Sequence, residues 1–385
     1  MNVVLTFFDE NGRTFVECME GIFRFASKSK WHIENIGHMD RDEDIRSILD
    51  FWKPIGCIVE GGNETRMTRA SFGSIPVVFM NRQPLRTDKN ASLVRMNDRA
   101  CAEAAIDELA KGGPAHYAFV PFRVPSAYWS KAREAAFSDI LARRNVKFSS
   151  FSPTGDRGEF GRTEFVRQLR PWIKTLPKPC GIFAANDTTA SMTAMACAME
   201  SIRIPEDASI IGVDDDKSVC CNILPNLSSV HPDKVKGGYL AAKLLSRAIR
   251  NPKWKGRQVE YTTNGVSRRG STRILTRKDS EVDAALWLIE QKACSGLSVR
   301  EVHGCFRCSG RLADIRFQAI THKTVLEAIH EVRLAKVRAL LSDPDQDLEP
   351  IANLCGYTNR NSLCKFFKAK TGLTLSAWRR RHLGK

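Results

Sequence analysis

Three short segments end an apolar run on polar side chains. Pro76–Arg82 ends on Asn81-Arg82, Gly181–Thr188 carries Asn186-Asp187, and Ile204–Asp215 ends on Asp214-Asp215. Apolar runs of this kind read as buried parallel strands. In open α/β sheets, ligands bind outside the carboxyl ends of the strands. Carboxylate, guanidinium and amide groups gathered there suit the recognition of hydroxyl groups through charge-assisted hydrogen bonds. Each residue alone also reads as an Asx cap or a turn residue. The convergence of three strand ends favours a ligand cleft, with Glu60, at the end of Gly56–Val59, as a further candidate.

A second constellation lies near the carboxyl end. Asp347 can cap a helix Leu348–Leu354, Pro350 falls in its first turn, and Gly356 ends it. Thr358 or Asn359 then caps Arg360–Lys370, which Gly372 closes. Two short helices joined by a tight turn containing Gly make a helix-turn-helix. On a helical wheel Arg360, Asn361, Lys365 and Lys368 share one face, and Leu363, Phe366 and Phe367 take the other. Arg suits guanine, Asn suits adenine and Lys suits phosphate or guanine, which is what a helix in a major groove needs. A solvated amphipathic helix carries a similar pattern.

Cys305 and Cys308 form a CxxC. A tetrahedral zinc site needs two further ligands. His303, Cys355 and Cys364 lie in the same carboxyl-terminal module, but none sits in a second CxxC or in an HxxxH. Packing in a turn is the favoured reading; a zinc or thiol redox sensor is the alternative. No metal and no cofactor are expected.

The elements that position these residues alternate over the first ~265 residues. Strand-like runs are Asn2–Phe7, Gly56–Val59, Ile75–Met80, Ala115–Val120, Cys180–Ala185 and Ser209–Val213. Helical periods are Thr14–Ser27, Asp98–Lys111, Trp129–Arg143, Thr188–Glu200 and Lys234–Arg250. Such alternation predicts parallel sheets covered on both faces. The pattern stops over 268–280, which reads as a connection. Beyond it only helical periods remain: Glu281–Lys292, Ser298–Gly304, Gly310–Phe317, Thr324–Leu341, Leu348–Leu354, Asn359–Lys370 and Leu375–Arg381.

Composition bounds the rest. At 385 residues, two or three domains are expected. Apolar residues make up 43% and charged residues 26%, so real cores can form. No apolar run approaches the roughly 18 residues of a membrane span, and the amino end lacks a basic leader, so a cytoplasmic protein is expected. Twelve cysteines are too few for a disulfide scaffold. The net charge of +16 is uneven: 22 basic and 12 acidic residues follow position 267, and the tail 351–385 has 8 basic and no acidic ones. That imbalance points to a polyanion, with nucleic acid first.

The string Ile351-Ala352, Cys355-Gly356-Tyr357, Leu363, Phe366-Phe367-Lys368, Gly372-Leu373-Thr374 and Trp378-Arg379 resembles the signature of AraC-type transcription regulators. A Pro usually stands where this chain has Leu375. The resemblance covers Glu281 to Arg381 and implies two helix-turn-helix units joined by a long helix, here Thr324–Leu341 with Arg333-Leu334. The first unit would be Ser298–Phe317, with Ser309 capping a recognition helix at Gly310. Arg311 and Asp314 would be its base-edge contacts, and Ile315, where the family often has a basic residue, could meet a thymine methyl.

The amino-terminal segments, together with Leu224–Val230 and the string Arg269-Gly270-Ser271-Thr272, resemble the effector domains of LacI/GalR-type repressors and sugar-binding periplasmic proteins. The resemblance implies two lobes joined by three crossovers, near Asn97, Val230–Asp233 and Asn251–Arg257. It implies effector contacts at Asn81, Arg82, Arg133, Asn186 and Asp214, with Glu60 beside them. Many relatives carry Asp where Asn81 stands, and several carry Gln where this chain has His231-Pro232.

The expected architecture is a two-lobed α/β periplasmic-binding-protein-like sensor over 1–267, a linker over 268–280, and an all-α AraC-type module over 281–385. Sensor first and AraC-type module last is the order of xylose-responsive regulators, which implies a pentose such as xylose as effector. The expected function is a sugar-responsive, sequence-specific DNA-binding regulator, an activator, acting as a homodimer, with RNA polymerase as a further partner and no membrane. An enzyme would need a nucleophile–base or carboxylate pair, and adjacent Asp214-Asp215-Asp216 diverge rather than face each other. An exported solute-binding protein would have no use for the basic helical tail.

Overall fold

A computed structural model of the chain describes residues 2–9, 15–37, 44–61, 67–83, 91–154, 161–251, 253–273, 277–341 and 348–383. The chain divides into two compact units, Met1–Ile274 and Leu275–Lys385.

The first unit holds two six-stranded sheets. The first sheet is built from β1 (Asn2–Phe7), β2 (Trp31–Asn35), β3 (Gly56–Glu60), β4 (Val77–Met80), β5 (Ser92–Met96) and β11 (Gln258–Tyr261), in the order β11-β5-β4-β3-β1-β2. All its pairings are parallel. The second contains β6 (His116–Val120), β7 (Phe148–Ser150), β8 (Cys180–Ala184), β9 (Ala208–Val213), β10 (Ser228–Pro232) and β12 (Thr263–Ser267), in the order β12-β10-β9-β8-β6-β7, with β12 antiparallel to β10. Successive strand residues face opposite sides. In the first sheet Val3, Leu5, Phe7, Val77 and Phe79 enter one core, and Val4, Ile58, Val78 and Met80 the other. Both faces are therefore dry, which is why these strands read as continuous apolar runs.

The helices are α1 (Phe15–Ser29), α2 (Ile45–Trp52), α3 (Asp98–Ala110), α4 (Tyr128–Arg143), α5 (Arg162–Thr175), α6 (Asp187–Met199), α7 (Lys217–Cys220) and α8 (Lys234–Arg250). Helices α1 and α8 pack backbone to backbone. A Cβ on Gly21 would lie 1.9 Å from the Val235 carbonyl oxygen, and one on Gly238 2.0 Å from that of Cys18. Only glycine fits there, and the contact fixes the first turns of both helices relative to each other.

Three crossovers join the lobes. They leave β5 at Asn97, leave β10 at Asp233, and pass from β11 to β12 at Thr262. The Asn97 amide donates to the Tyr261 carbonyl and the Asp233 amide to that of Thr262, both at 2.9 Å, so the crossings are hydrogen-bonded to one another. The third crossing was expected within 251–257. It lies later because Gln258–Tyr261 still belongs to the first sheet. The expected linker is also shorter than 268–280. Ser271 and Thr272 are buried in the first unit, where the Ser271 hydroxyl donates to the Ile210 carbonyl and accepts from the Ser228 amide.

The second unit contains α9 (Arg277–Lys292), α10 (Val299–His303), α11 (Gly310–Thr321), α12 (Val325–Leu341), α13 (Leu348–Leu354), α14 (Arg360–Thr371) and α15 (Leu375–Leu383). Its two cores share one long helix. Val325, Ala328 and Ile329 of α12 pack with Val302, Ala313 and Phe317, while Val337 and Leu341 pack with Ile351, Leu363 and Phe367. Asn359 caps α14 by accepting from the Ser362 amide at 2.9 Å. Gly356 and Gly372 both adopt positive φ at helix ends, as their spacing predicted. Asp347 lies outside the described residues.

Candidate functional site

The carboxyl ends of both sheets face one cavity of about 110 Å³. The first lobe contributes Asn81 after β4, Met96 and Tyr261 at the ends of β5 and β11, and Lys234 at the start of α8. The second contributes Asp214 after β9, Asp98 at the start of α3, and Tyr128, Trp129 and Arg133 from α4. Asn81 and Asp214 both have positive φ, +50° and +117°. Such backbone is uncommon outside glycine, and Asn and Asp tolerate it best.

Arg133 organises the second-lobe wall. It is 6% exposed, its Nε donates to Asp98 Oδ1 at 3.0 Å, and its Nη1 donates to the Ala185 carbonyl at 2.6 Å. Its guanidinium also lies 4.9 Å from the Trp129 ring centroid, a cation–π distance. Burial raises the Asp98 carboxyl above the usual carboxylate range, and Arg133 opposes that rise. On the first lobe, the Tyr261 hydroxyl donates to Asn81 Oδ1 at 2.9 Å, which orients the amide.

Beneath Asp214 lies a fully buried carboxylate, Asp187. Its Oδ1 accepts from the Ser229 hydroxyl at 2.6 Å and its Oδ2 from the Asp216 amide at 2.8 Å. Burial, and then the charge of Asp214, raise it to about 7. Asp187 thereby braces the loop that carries Asp214. A Cβ on Gly212 would stand 2.3 Å from Asp187 Oδ1, so this bracing needs glycine in β9.

The expected ligand contacts separate into two groups. Asn81, Arg133 and Asp214 line the cavity. Arg82 does not: its guanidinium stacks 3.5 Å from the Phe79 ring centroid and donates to the Met67 carbonyl, on the other side of the sheet. Asn186 does not either. Its Oδ1 caps α6 by accepting from the Thr189 amide and hydroxyl, so the Asx-cap alternative describes it. Glu60, half-buried at the end of β3, is not among the lining residues, although its charge raises Tyr261 and Tyr128 behind burial. Asp98, Tyr128, Trp129, Lys234 and Tyr261 were not anticipated. Asp98 and Lys234 open helices directly after crossovers, whereas Tyr128 and Trp129 open a helix after β6 and Tyr261 ends an edge strand, and no local pattern in the sequence gathers the five.

In the second unit, Arg360, Asn361, Lys365 and Lys368 are all exposed on one side of α14, opposite buried Leu363 and Phe367. Helix α11 is different. Its exposed side carries Arg311, Leu312, Ile315 and Gln318, and Asp314 Oδ1 accepts from the His303 ring Nε2 at 2.9 Å. Asp314 is therefore tied to α10. Ser309 occupies the cap position of α11, but its side chain makes no capping hydrogen bond, contrary to expectation. Arg333 of α12 donates to the carbonyls of Ala293 and Leu297 and lies 5.4 Å from the Tyr357 ring, linking the two helix-turn-helix units. Cys305 and Cys308 pack against the core of the first helix-turn-helix, and among the described residues no group of three or more His, Cys, Asp or Glu is placed to hold a metal. Among the described residues no helix is long and apolar enough to cross a membrane.

Comparison with known proteins joins these two sites. Residues 106–272 match the periplasmic binding protein-like domain family, and residues 305–381 a helix-turn-helix domain family. The chain is 25% identical over 374 residues to the xylose operon regulatory protein of Escherichia coli strain K12, covering 94% of this chain and 93% of that protein. It is 26% identical over 287 residues to the Haemophilus influenzae xylose operon regulatory protein, covering 74% of each. The solved structure of the xylose-binding transcription activator xylR superposes with a TM-score of 0.61 at 23% identity, covering 98% of this chain and 97% of that one, which shows a shared fold. The chain is thus a homologue of the xylose operon regulatory proteins, joining a periplasmic-binding-protein-like domain to an AraC-type helix-turn-helix domain.

Proposed function

We propose that the chain is a sugar-responsive, sequence-specific DNA-binding transcription regulator, an activator of sugar catabolic genes with a pentose such as xylose as effector. One observation carries the reading. A small cleft lined by donors, acceptors and an aromatic face occurs in the same chain as two helix-turn-helix units, one with an exposed basic face. A cavity of about 110 Å³ is well below the roughly 300–1,000 Å³ of drug-sized sites and suits a monosaccharide. The names of the relatives support xylose in particular.

Asn81, Arg133 and Asp214 are the effector contacts in this reading, and Arg360, Asn361 and Arg311 the base contacts. Lys365 and Lys368 take phosphates. The regulator acts in the cytoplasm as a homodimer and recruits RNA polymerase. In this reading it is a regulator and not an enzyme, which the structural partners of the two carboxylates next to Asp214 support: Asp215 pairs with Arg269 at 2.7 Å and Asp216 caps α7. The test is a thermal-shift screen of the full chain against pentoses and hexoses, followed by duplex binding with and without any hit. A ligand at about 100 times its Kd stabilises by ~2.7 kcal/mol. Stabilisation by xylose with altered DNA affinity is expected. Absence of any sugar response would remove the reading.

A further inference from the structure

Lys234 is the first residue of α8, immediately after the second crossover. Its side chain is 3% exposed, yet it lines both the cleft and an adjoining cavity of about 280 Å³ bounded by Glu17, Asp215, Asp216 and Ser218. The ammonium belongs to the first lobe, since α8 packs on β3, β4 and β5. It reaches across to the second lobe and donates to the Asp214 carbonyl at 3.2 Å. The nearest carboxylate oxygens, on Glu17 and Asp214, stand at 3.8 and 3.9 Å, beyond hydrogen-bonding distance. An ammonium has three donors. Among the described residues one is used, and a buried charge with unused donors is unfavourable until an acceptor arrives.

We infer that Lys234 is an effector contact: its ammonium takes an oxygen of a neutral sugar at the crossover end of the cleft and, with Asp214, holds that sugar between the lobes. This rests on the sugar-responsive reading above and specifies its chemistry. The charged groups lining the cleft are Asp98, Asp214, Arg133 and Lys234, two of each sign. A neutral sugar leaves that balance intact, whereas an aldonate or uronate would add a negative charge near Glu17 and Glu60. The lysine also couples ligand to lobe closure, because its stem and its acceptor lie on different lobes.

The experiment is calorimetry on the full chain with D-xylose, xylonate, each monodeoxy xylose and the ring-sulfur analogue, in the parent and in Lys234→Met. Lys234→Gln stands in if the methionine variant does not fold. Xylose affinity should fall about 10- to 100-fold in the variant, the range for one hydrogen bond to a charged group. One analogue, the one lacking the oxygen that meets Lys234, should bind the parent more weakly but show little further loss in the variant. Unchanged xylose binding in the variant, or equal losses for every analogue in both proteins, overturns the assignment alone. Xylonate binding the parent more tightly than xylose overturns the neutral class. A parent that binds no sugar removes the sugar-responsive reading, and this assignment with it.

Discussion

Replacing Arg133 with Met tests how the cleft wall is built. Methionine keeps much of the buried stem but loses the bonds to Asp98 and to the Ala185 carbonyl, and the charge above Trp129. Asp98 is then a largely buried carboxylate without its cation. Removing one partner of a buried ion pair costs about 3–5 kcal/mol. At roughly 2–4 °C per kcal/mol for a domain of this size, the melting temperature should fall by about 6–20 °C. Asp98→Asn should cost less, because Arg133 keeps the Ala185 carbonyl. The double variant should recover on the order of 1–3 kcal/mol relative to the sum of the single losses. The pH dependence has a definite sign. The folded pKa of Asp98 already lies above its ordinary value, and it rises further once Arg133 is gone. Stability from a raised carboxyl is present at low pH and is lost as the pH rises through the folded pKa. The deficit of Arg133→Met should therefore shrink toward pH 5 and widen toward pH 8. Thermal denaturation of the four proteins without ligand, at both pH values, measures this. Single losses that simply add, with a deficit independent of pH, would refute the coupled wall.

Asp187→Asn can keep an acceptor for the Asp216 amide and turn its donors to Ser229, so it should fold. Because burial raises Asp187 to about 7, the parent should lose stability between pH 5 and 8 and the variant should lose less; a constant difference in melting temperature contradicts this. Arg360→Ala should cost ~1–3 kcal/mol on the selected DNA site and relax preference at one base pair, whereas Lys368→Ala should weaken specific and scrambled duplexes alike and reduce the salt slope by about one. Salt titration of both variants on both duplexes separates them, and equal losses on the two duplexes for Arg360→Ala would make it a phosphate contact. Ile315, 56% exposed on α11, should read a thymine methyl, so replacing single thymines by uracil should weaken the parent at one position and leave Ile315→Ala unaffected there. Uracil scanning with no position specific to the parent would remove that contact.

The carboxyl-terminal module was legible almost throughout, since its caps, glycines and apolar spacings are local. Asn359, Gly356 and Gly372 behave as their positions predict, and the exposed basic face of α14 follows from periodicity alone. In the first unit the long apolar runs were legible for the same reason. The edge strands β2, β7, β11 and β12 were not, because they are short and carry no continuous apolar run, nor were β5 and β10, where polar residues or proline interrupt the apolar ones; helices α2 and α5 were missed too, and the third crossover was misplaced with β11. The cleft was half legible. Strand ends located Asn81 and Asp214, but a strand-end polar residue can serve ligand, cap or sheet, and Arg82 and Asn186 went to the latter two. Lys234, Asp98 and Tyr261 come together only because the crossovers are tied to one another, a long-range fact that no local pattern carries.

The central claim is that sugar in the cleft and DNA on the recognition helices are energetically coupled. Linkage makes that claim reciprocal: any factor by which xylose changes DNA affinity must equal the factor by which DNA changes xylose affinity. The direct measurement is a pair of titrations of the full chain, one of a selected duplex with and without saturating xylose, the other of xylose with and without saturating duplex. Equal factors of about 5–150 in both are predicted, corresponding to roughly 1–3 kcal/mol of coupling. Tight binding of both partners with a factor of one in each titration would contradict the account.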